Sequence, residues 1–510
     1  MPSPREMLTQ PAAACGRDDP PLASSSEPAS SCTAPLGEPS SFEEAFGAAI
    51  SRRLQPWNAT WMGMQHINQQ LLMAAEWCRV QLCVVHGRLY LRGWWRSRAA
   101  ASPLMRENLG GFRHHTAILG LAETLKRHAV EDVCITINCQ DRPSVWKYMS
   151  VPRPGRSAGA PPMIVPVRWG RLGAPLLLSY MSSKDHLDVP WPDYLFWGRT
   201  SKLVAPWEVV LRGITDESAR VPYRARLRRA VYSASVPQSN KSFEARMKPL
   251  RQEFVRRCLS RCDGGLAPLV DMEKPWDEAM ARLIREGLKN GTGSLQFNKN
   301  CHYRSIVQLQ GRSAWLDHWK MDLACGSPVV FLGDRAMPES DGFAYSSPAK
   351  SFFSHLLQPG QHYIHIDADH QHPDERMLVK IGSNTTLIGH GLCHTVELTH
   401  RWLLANVGNA SCIGQSGQRV VRRWLRMQRV YQYMAAVLRK IAAIQAYARI
   451  HIYVPSSVWF VRLNVSDCLE RDDDRVACVG ARVQAALAAG TPAAAKAANA
   501  PVKPVDWWLG

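Results

Sequence analysis

A helical pattern at Ala117–His128 lies between two short strand-like runs, Val85–Leu91 and Val133–Ile137, and this order constrains the fold more than any other feature of the chain. Strand, helix and strand in succession form the unit of layered α/β structure, because the helix must bury its apolar stripe on the sheet that the strands build. The alternation continues. Strand-like runs occur at Val209–Leu211, Ile306–Leu309, Pro328–Leu332 and His362–Ile366, and helical patterns at residues 62–84, Phe243–Arg261, Trp276–Leu288, Ser313–Ala324, Trp402–Asn406 and Gln418–Ile450. The last carries an apolar stripe through Val421, Trp424, Tyr431, Met434 and Leu438, the mark of a helix packed on a core. Residues 1–48 are rich in Pro, Ser and Ala and predict disorder, as does the Ala-rich tail from 483; residues 151–162 read as a Pro/Gly loop.

At 510 residues the chain is long enough for two or three cored domains. Its 62 basic residues against 43 acids, a net charge of +19, suit an anionic partner such as a phosphosugar, a nucleic acid or a membrane surface. The charge is dispersed, with local density at Arg220–Arg229 and Arg419–Arg429 that reads first as solvated surface. No zinc finger, RNA-recognition signature or KH loop accompanies it, so nucleic acid is not expected. No run is long and apolar enough for a transmembrane helix, and residues 1–50 lack a signal-peptide pattern. Six Asn-X-Ser/Thr sequons, at Asn58, Asn240, Asn290, Asn384, Asn409 and Asn464, favour a lumenal protein. The fourteen cysteines fit either redox compartment; Cys134 and Cys139 point to opposite faces of one strand, and neither they nor Cys258 and Cys262 form a zinc set.

Several short motifs invite chemistry. Asp185–Gly198 packs two prolines, two tryptophans and three acids into fourteen residues, a composition that excludes helix and suits a loop that binds sugars or bases. Asp141 stands just beyond the strand ending at Asn138, where open α/β sheets bind ligands. Arg212-Gly213 follows a strand-like run, with Arg220 beyond it; glycine allows close backbone approach and arginine offers a fork to phosphate. Cys325-Gly-Ser327 joins a helix to a strand. His362, His365, His370 and His372, with Asp367 and Asp369, imitate a metal site, but His362 and His365 alternate to opposite faces of a strand, and no metal is expected. Asp472–Asp474 reads as a solvated loop. No GxSxG elbow or Cys–His pair is present.

Taken together, His86-Gly-Arg-Leu-Tyr90, Asn138-Cys-Gln-Asp141 with Pro143, Pro190-Trp-Pro-Asp-Tyr-Leu-Phe-Trp197, Arg212-Gly213 with Arg220, Cys301-His-Tyr303, Gly311 through Lys320 to Cys325-Gly-Ser327, Pro359-Gly-Gln-His-Tyr363 and Ile413-Gly-Gln-Ser-Gly417 resemble, in order, glycosyltransferase family 90, the capsule-associated and protein O-glucosyltransferase family, over roughly residues 60–445. The resemblance implies a GT-B architecture, two Rossmann-like domains facing a cleft, here a base domain at 51–205, a donor domain at 206–420 and a helix at 421–455 crossing back to the first domain, between disordered tails at 1–50 and 456–510. It implies an inverting, metal-independent transfer of glucose or xylose from a UDP-sugar to a hydroxyl of a protein Ser/Thr or a glycan, in the endoplasmic reticulum or Golgi lumen, by a monomer. Asp141 takes the place of the catalytic base. Arg212, Gly213, Thr215, Arg220, Ser313, His318, Lys320, Gly326 and Ser327 are the donor-binding candidates, and Asp193, Tyr194 and Trp197 the acceptor-binding ones. The departures are His318 where the family carries an arginine, Ile214 where it carries a small hydroxyl residue, and a segment between Trp197 and Arg212 that is much shorter than in relatives. They leave a second reading, a UDP- or sugar-binding relative without turnover.

Overall fold

The computed structural model describes residues 38–58, 79–93, 112–138, 145, 148–151, 163–166, 176–182, 186–198, 205–232, 270–272, 298–309, 319–333, 351–367, 376–381, 385–447, 459–471 and 475–489. A π-helical turn at Glu43–Gly47 enters helix α1 (Ala48–Asn58). Strands β1 (Arg79–Val85) and β2 (Arg88–Gly93) follow, then α2 (Phe112–Arg127), β3 (Val133–Asn138), β4 (Tyr148–Val151), β5 (Met163–Pro166), β6 (Leu178–Ser179) and β7 (Val189–Pro190). The second half contains α3 (Trp207–Arg220), β8 (Leu227–Tyr232), β9 (Val270–Met272), β10 (Tyr303–Leu309), α4 (Trp319–Ala324), β11 (Val329–Gly333), β12 (Ile364–Asp367), β13 (Arg376–Ile381), β14 (Thr385–His390), α5 (Leu392–Ala405), α6 (Val407–Trp424) and α7 (Met427–Tyr447). The chain closes on β15 (Trp459–Leu463), α8 (Ser466–Leu469) and α9 (Arg475–Ala489).

Two mixed sheets carry the α/β fold. The first runs β15-β2-β1-β3-β6-β7, the second β14-β13-β12-β11-β10-β8-β9. In the first, β3, β6 and β7 are parallel. In the second, β9, β8, β10, β11 and β12 are all parallel, and the antiparallel β13 and β14 extend one edge. All six residues of β3 are buried, which is what a strand covered on both faces requires. Val80, Leu82, Val84, Ile135 and Ile137 join a core cluster that also takes in Ile306, Val329 and Phe331 of the second sheet. The alternate residues Cys83 and Cys134 lie opposite each other on the other face and form a disulfide.

Three expectations change. The run Val85–Leu91 is a hairpin rather than one strand: His86 and Gly87 both take positive φ, 47° and 69°, the geometry of a tight two-residue turn. Asp132 Oδ1 accepts the His86 amide at 2.7 Å. Residues 79–84, read as the end of a helix, form β1. Val209–Leu211 is not a strand but part of α3. Trp207, Val210, Leu211 and Ile214 are buried at helical spacing while Val209 is 47% exposed, so the β-branched run misled and the period of burial decides. Glu208 in its first turn and Arg220 in its last complement the helix dipole.

The long helical pattern at Gln418–Ile450 breaks at Leu425–Arg426. Up to the break, α6 packs on the second sheet's side of the molecule; its Gly414 and Gly417 would place a Cβ only 2.4 Å from Gly326 O and 2.6 Å from His362 O, so the Ile413-Gly-Gln-Ser-Gly417 motif is a close-packing face. Beyond the break, α7 crosses to the first sheet, where the Gln445 amide bonds the Cys134 backbone N–H and C=O at 3.0 and 2.7 Å. Both tails are shorter than expected. Phe46 is fully buried among Phe352, Trp424 and Tyr433, β15 adds an edge strand to the first sheet, and α9 packs on it. The expected helices at 243–261 and 276–288, the 151–162 loop, Cys139, Cys258, Cys262, Asp369, His370, His372 and Asp472–Asp474 lie outside the described residues.

Candidate active site at the strand ends

The carboxyl ends of β3 and β6 meet Asp188, the residue that leads into β7, in a buried polar brace. Asn138 Nδ2 donates to Ser179 Oγ at 3.2 Å, and Ser179 Oγ donates to Asp188 Oδ1 at 2.6 Å. The Val145 amide donates to Asp188 Oδ2 at 2.7 Å, and Leu187 N to Val145 O at 2.7 Å. Asn138, Val145, Ser179 and Asp188 are each at 0% exposure. A carboxylate so deep in the protein is tolerable only with such donors. Arg53 stands beside it, its Nη1 donating to Ser182 Oγ at 3.1 Å; burial pulls the guanidinium pKa down, and Asp188 is among the groups that oppose the shift. The result is that the residues on either side of 139–144, Asn138 and Val145, are pinned. Asp141 itself lies outside the described residues, three positions beyond Asn138 in the chain. Sequence reasoning did not single out Ser179, which belongs to no motif, nor Asp188, which it counted only as one of three acids in the Asp185–Gly198 run.

The aromatic run next to the brace turns inward. Trp191, Tyr194, Phe196 and Trp197 are all buried, and a Cβ on Gly120 would come within 2.3 Å of the Trp197 ring. Asp193 caps the 3₁₀ turn Tyr194–Trp197 by accepting Leu195 N at 2.9 Å, while its other oxygen lies 2.8 Å from Lys320 Nζ. Lys320 also sits over the rings of Phe196 and Trp207, and Arg113 over Tyr194. Asp193, Tyr194, Trp197 and Lys320 therefore come together as the joint between the first sheet and the helices α3 and α4. Packing accounts for the aromatic richness that the sequence suggested was a binding surface.

Beside Lys320 on α4, Asp322 accepts hydrogen bonds from Asn300 Nδ2 at 2.8 Å and from Gln308 Nε2; burial pushes its carboxyl pKa up to about 7. No motif marked this residue.

A second group forms at the opposite end of the second sheet. β8 and β10 begin opposite each other at Leu227 and Tyr303, β11 begins opposite Ile306, and Gly326-Ser327-Pro328 leads into β11. Arg226, which sequence reasoning did not single out, binds Ser327 Oγ at 2.5 Å, Ser218 Oγ at 3.0 Å and Val221 O at 3.1 Å; burial draws its guanidinium down to about 10. Ser327 Oγ in turn donates to Tyr303 O, and Gln418 bonds Ser218 and Ala324. Gly326 has φ +69°. Arg220, with its side chain 67% exposed, pairs with Glu217, which also contacts His302. These residues cluster at the amino ends of the parallel strands, whereas open sheets bind ligands at the carboxyl ends. Arg212, Gly213 and Thr215 sit on the side of α3 rather than beyond a strand, and Arg212 and Thr215 line a concavity of about 200 Å³ with Arg422 and Arg426. Ser313 and His318 lie outside the described residues, between the carboxyl end of β10 and α4.

Four of the described disulfide cysteines pair as Cys301–Cys325 beneath this cluster and Cys468–Cys478 near the end of the chain. With Cys83–Cys134 they settle what the cysteine count left open: the fold is cross-linked.

Comparison with known proteins bears on the whole arrangement. The profile described as Glycosyl transferase family 90 matches residues 42–489. The O-glucosyltransferase rumi of Drosophila pseudoobscura pseudoobscura is 19% identical over 323 residues; the match spans 62% of this chain and 62% of that relative's length.

Proposed function

Because the chain belongs to glycosyl transferase family 90, we propose that it is an inverting transferase that moves glucose or xylose from a UDP-sugar to a hydroxyl of a protein Ser/Thr or a glycan. Asp141 takes the proton of the acceptor hydroxyl as its oxygen attacks the anomeric carbon. The bond from that carbon to the diphosphate oxygen breaks on the opposite face, and UDP leaves. A positioned base contributes about 10²–10⁴ in rate. The observation that carries this reading is the Asn138–Ser179–Asp188–Val145 brace, which fixes the residues on either side of the segment 139–144 that contains Asp141, past the carboxyl ends of the parallel strands β3 and β6.

A GT-B arrangement, with the donor taken at the carboxyl ends of the second sheet, is supported by the two sheets and by α7 crossing from one to the other. Ser313 and His318, after β10, are the donor residues best placed by chain position in that arrangement. No metal is invoked, so transfer should be insensitive to EDTA. Disulfides such as Cys83–Cys134, Cys301–Cys325 and Cys468–Cys478, together with exposed sequon asparagines Asn409 and Asn464, support an oxidising, lumenal compartment of the secretory pathway.

The test is Asp141→Asn, assayed for sugar transfer and for thermal stabilisation by UDP. Transfer should fall by about 10²–10⁴ while UDP still stabilises the fold. Undiminished turnover would remove Asp141 from the role. The second reading, UDP binding without transfer, is favoured by the pairing of Arg220 with Glu217 at the amino rather than the carboxyl ends of the strands; UDP stabilisation without turnover on any acceptor would establish it.

A further inference from the structure

The arginine-rich segment that the sequence marked at 419–429 bends where α6 meets α7, and the bend makes a concavity. Its volume is about 720 Å³, and its described lining holds five arginines, Arg419, Arg422, Arg423, Arg426 and Arg429, and no acid. The rest of that lining is Gln415, Gln418 and Gln428. We propose that this concavity is a binding site for an oligosaccharide bearing sulfate or phosphate esters, separate from the transfer site and independent of the catalytic reading above.

Several of the arginines are held in place, and the acids near them stand outside this lining: Glu44 beside Arg423, and Glu208 and Asp216 in the adjoining concavity that Arg422 and Arg426 also line. Arg423 Nη2 donates to Ser40 O at 2.8 Å, Arg426 Nε to Arg422 O at 3.0 Å, and Arg429 Nη1 to Gln432 Oε1 at 2.7 Å. Arg423 and Arg429 also lie over the Trp424 ring, 4.9 and 5.7 Å from its centre. Each of these contacts uses one N–H of a guanidinium that carries five. Arg422 is exposed, and its guanidinium makes no hydrogen bond, ion pair or ring contact among the described residues. Glu38 pairs with Arg419 at the rim, 3.9 Å away. A cluster of positioned guanidiniums with no acid in its described lining is a fork-shaped receptor for oxyanions.

The lining narrows the class of ligand. Among its described residues it contains no aromatic ring, so these offer no platform for stacking nucleobases. Its described residues include no aliphatic side chain, and it is concave, so a lipid surface has little to bury there. Glutamine amides among arginines suit a molecule that alternates neutral hydroxyls with charged esters. From Gln415 to Arg423 the helix advances about 12 Å, the length of a few sugar rings, so successive charges could meet successive arginines.

The experiment is calorimetric titration of the full chain with a heparin-derived hexasaccharide, its desulfated counterpart, and a single-stranded oligonucleotide of matched charge, each with and without saturating UDP. Wild type should bind the sulfated sugar, ignore the desulfated one, bind the oligonucleotide at least about tenfold more weakly for want of stacking platforms, and be unaffected by UDP. Arg422→Gln/Arg426→Gln should weaken binding by about tenfold or more and lower the salt slope by about 2, one for each charge removed. Arg462→Gln, an exposed arginine on β15, should change nothing, and unchanged circular dichroism would show that the double variant is folded. Equal binding by the double variant, displacement by UDP, or equal affinity for the oligonucleotide would each overturn the proposal.

Discussion

The ammonium of Lys320 lies 2.8 Å from Asp193 Oδ2, with the two side chains 0% and 2% exposed. One residue comes from α4 beside the second sheet, the other from the turn that follows β7 of the first. Sequence reading assigned Lys320 to the donor and Asp193 to the acceptor; in the fold they bind each other, within a sleeve of Phe196 and Trp207.

Breaking this pair from one side should be expensive. Lys320→Met or Asp193→Asn leaves an uncompensated or under-satisfied buried group, and about 3–5 kcal/mol of stability should be lost. The double variant should lose less than the sum of the two. Denaturant unfolding of all four proteins measures the coupling, and strict additivity would mean the pair does not interact.

Asp188 anchors Val145 and Ser179 beside the segment that contains Asp141, and in the proposed mechanism it does not touch substrate. Asp188→Asn should therefore lower kcat, by about 10²-fold if the base shifts by an ångström, with little change in the KM for the UDP-sugar. A changed donor KM with an unaltered kcat would place Asp188 elsewhere in the mechanism. The assay belongs well below the variant's melting temperature, because a buried carboxylate that accepts two hydrogen bonds also stabilises the fold.

Cys83 and Cys134 face each other across β1 and β3 and close a loop of sequence separation 51. On the chain-entropy account, removing both sulfurs as Cys83→Ala/Cys134→Ala costs up to about 4 kcal/mol. Urea titration with and without reductant checks it: the wild type should become less stable when reduced, and the double variant should lack this bond's share of the loss.

His400 is 1% exposed, with Nδ1 2.7 Å from Ser305 Oγ, and burial holds its pKa down at about 4. An unfolded histidine titrates near about 6.5. Between these values the unfolded chain binds the proton that the native one refuses, so this contribution is complete above about pH 6.5 and is lost as pH falls toward about 4, by about 3 kcal/mol in all. His362, also held down at about 4, acts in the same sense, and Asp322, raised to about 7, acts in the opposite one. Subtracting the pH–stability curve of His400→Gln from that of wild type isolates the term; a flat difference would show that folding does not shift the titration of His400.

Much of the fold was legible where burial and pattern agree. Val133–Ile137, Ile306–Leu309 and Pro328–Leu332 were read as strands because central parallel strands are continuous apolar runs, and α2 because its stripe is uninterrupted. Val209–Leu211 was misread because three β-branched or aliphatic residues look alike on a strand and on a helix until their neighbours bury every third or fourth one. The turn at His86–Gly87 was hidden inside an apolar run that seemed continuous.

The sequence by itself determined the family, the α/β class and the place of Asp141 just beyond β3, because these rest on local order along the chain. Only the tertiary structure decided which polar residues face one another. It paired Lys320 with Asp193 and Cys83 with Cys134, set Arg220, Arg226 and Ser327 at the amino ends of the strands, and bent α6 from α7 so that five arginines converge. Such relations depend on contacts between residues tens to hundreds of positions apart, and no local propensity encodes them.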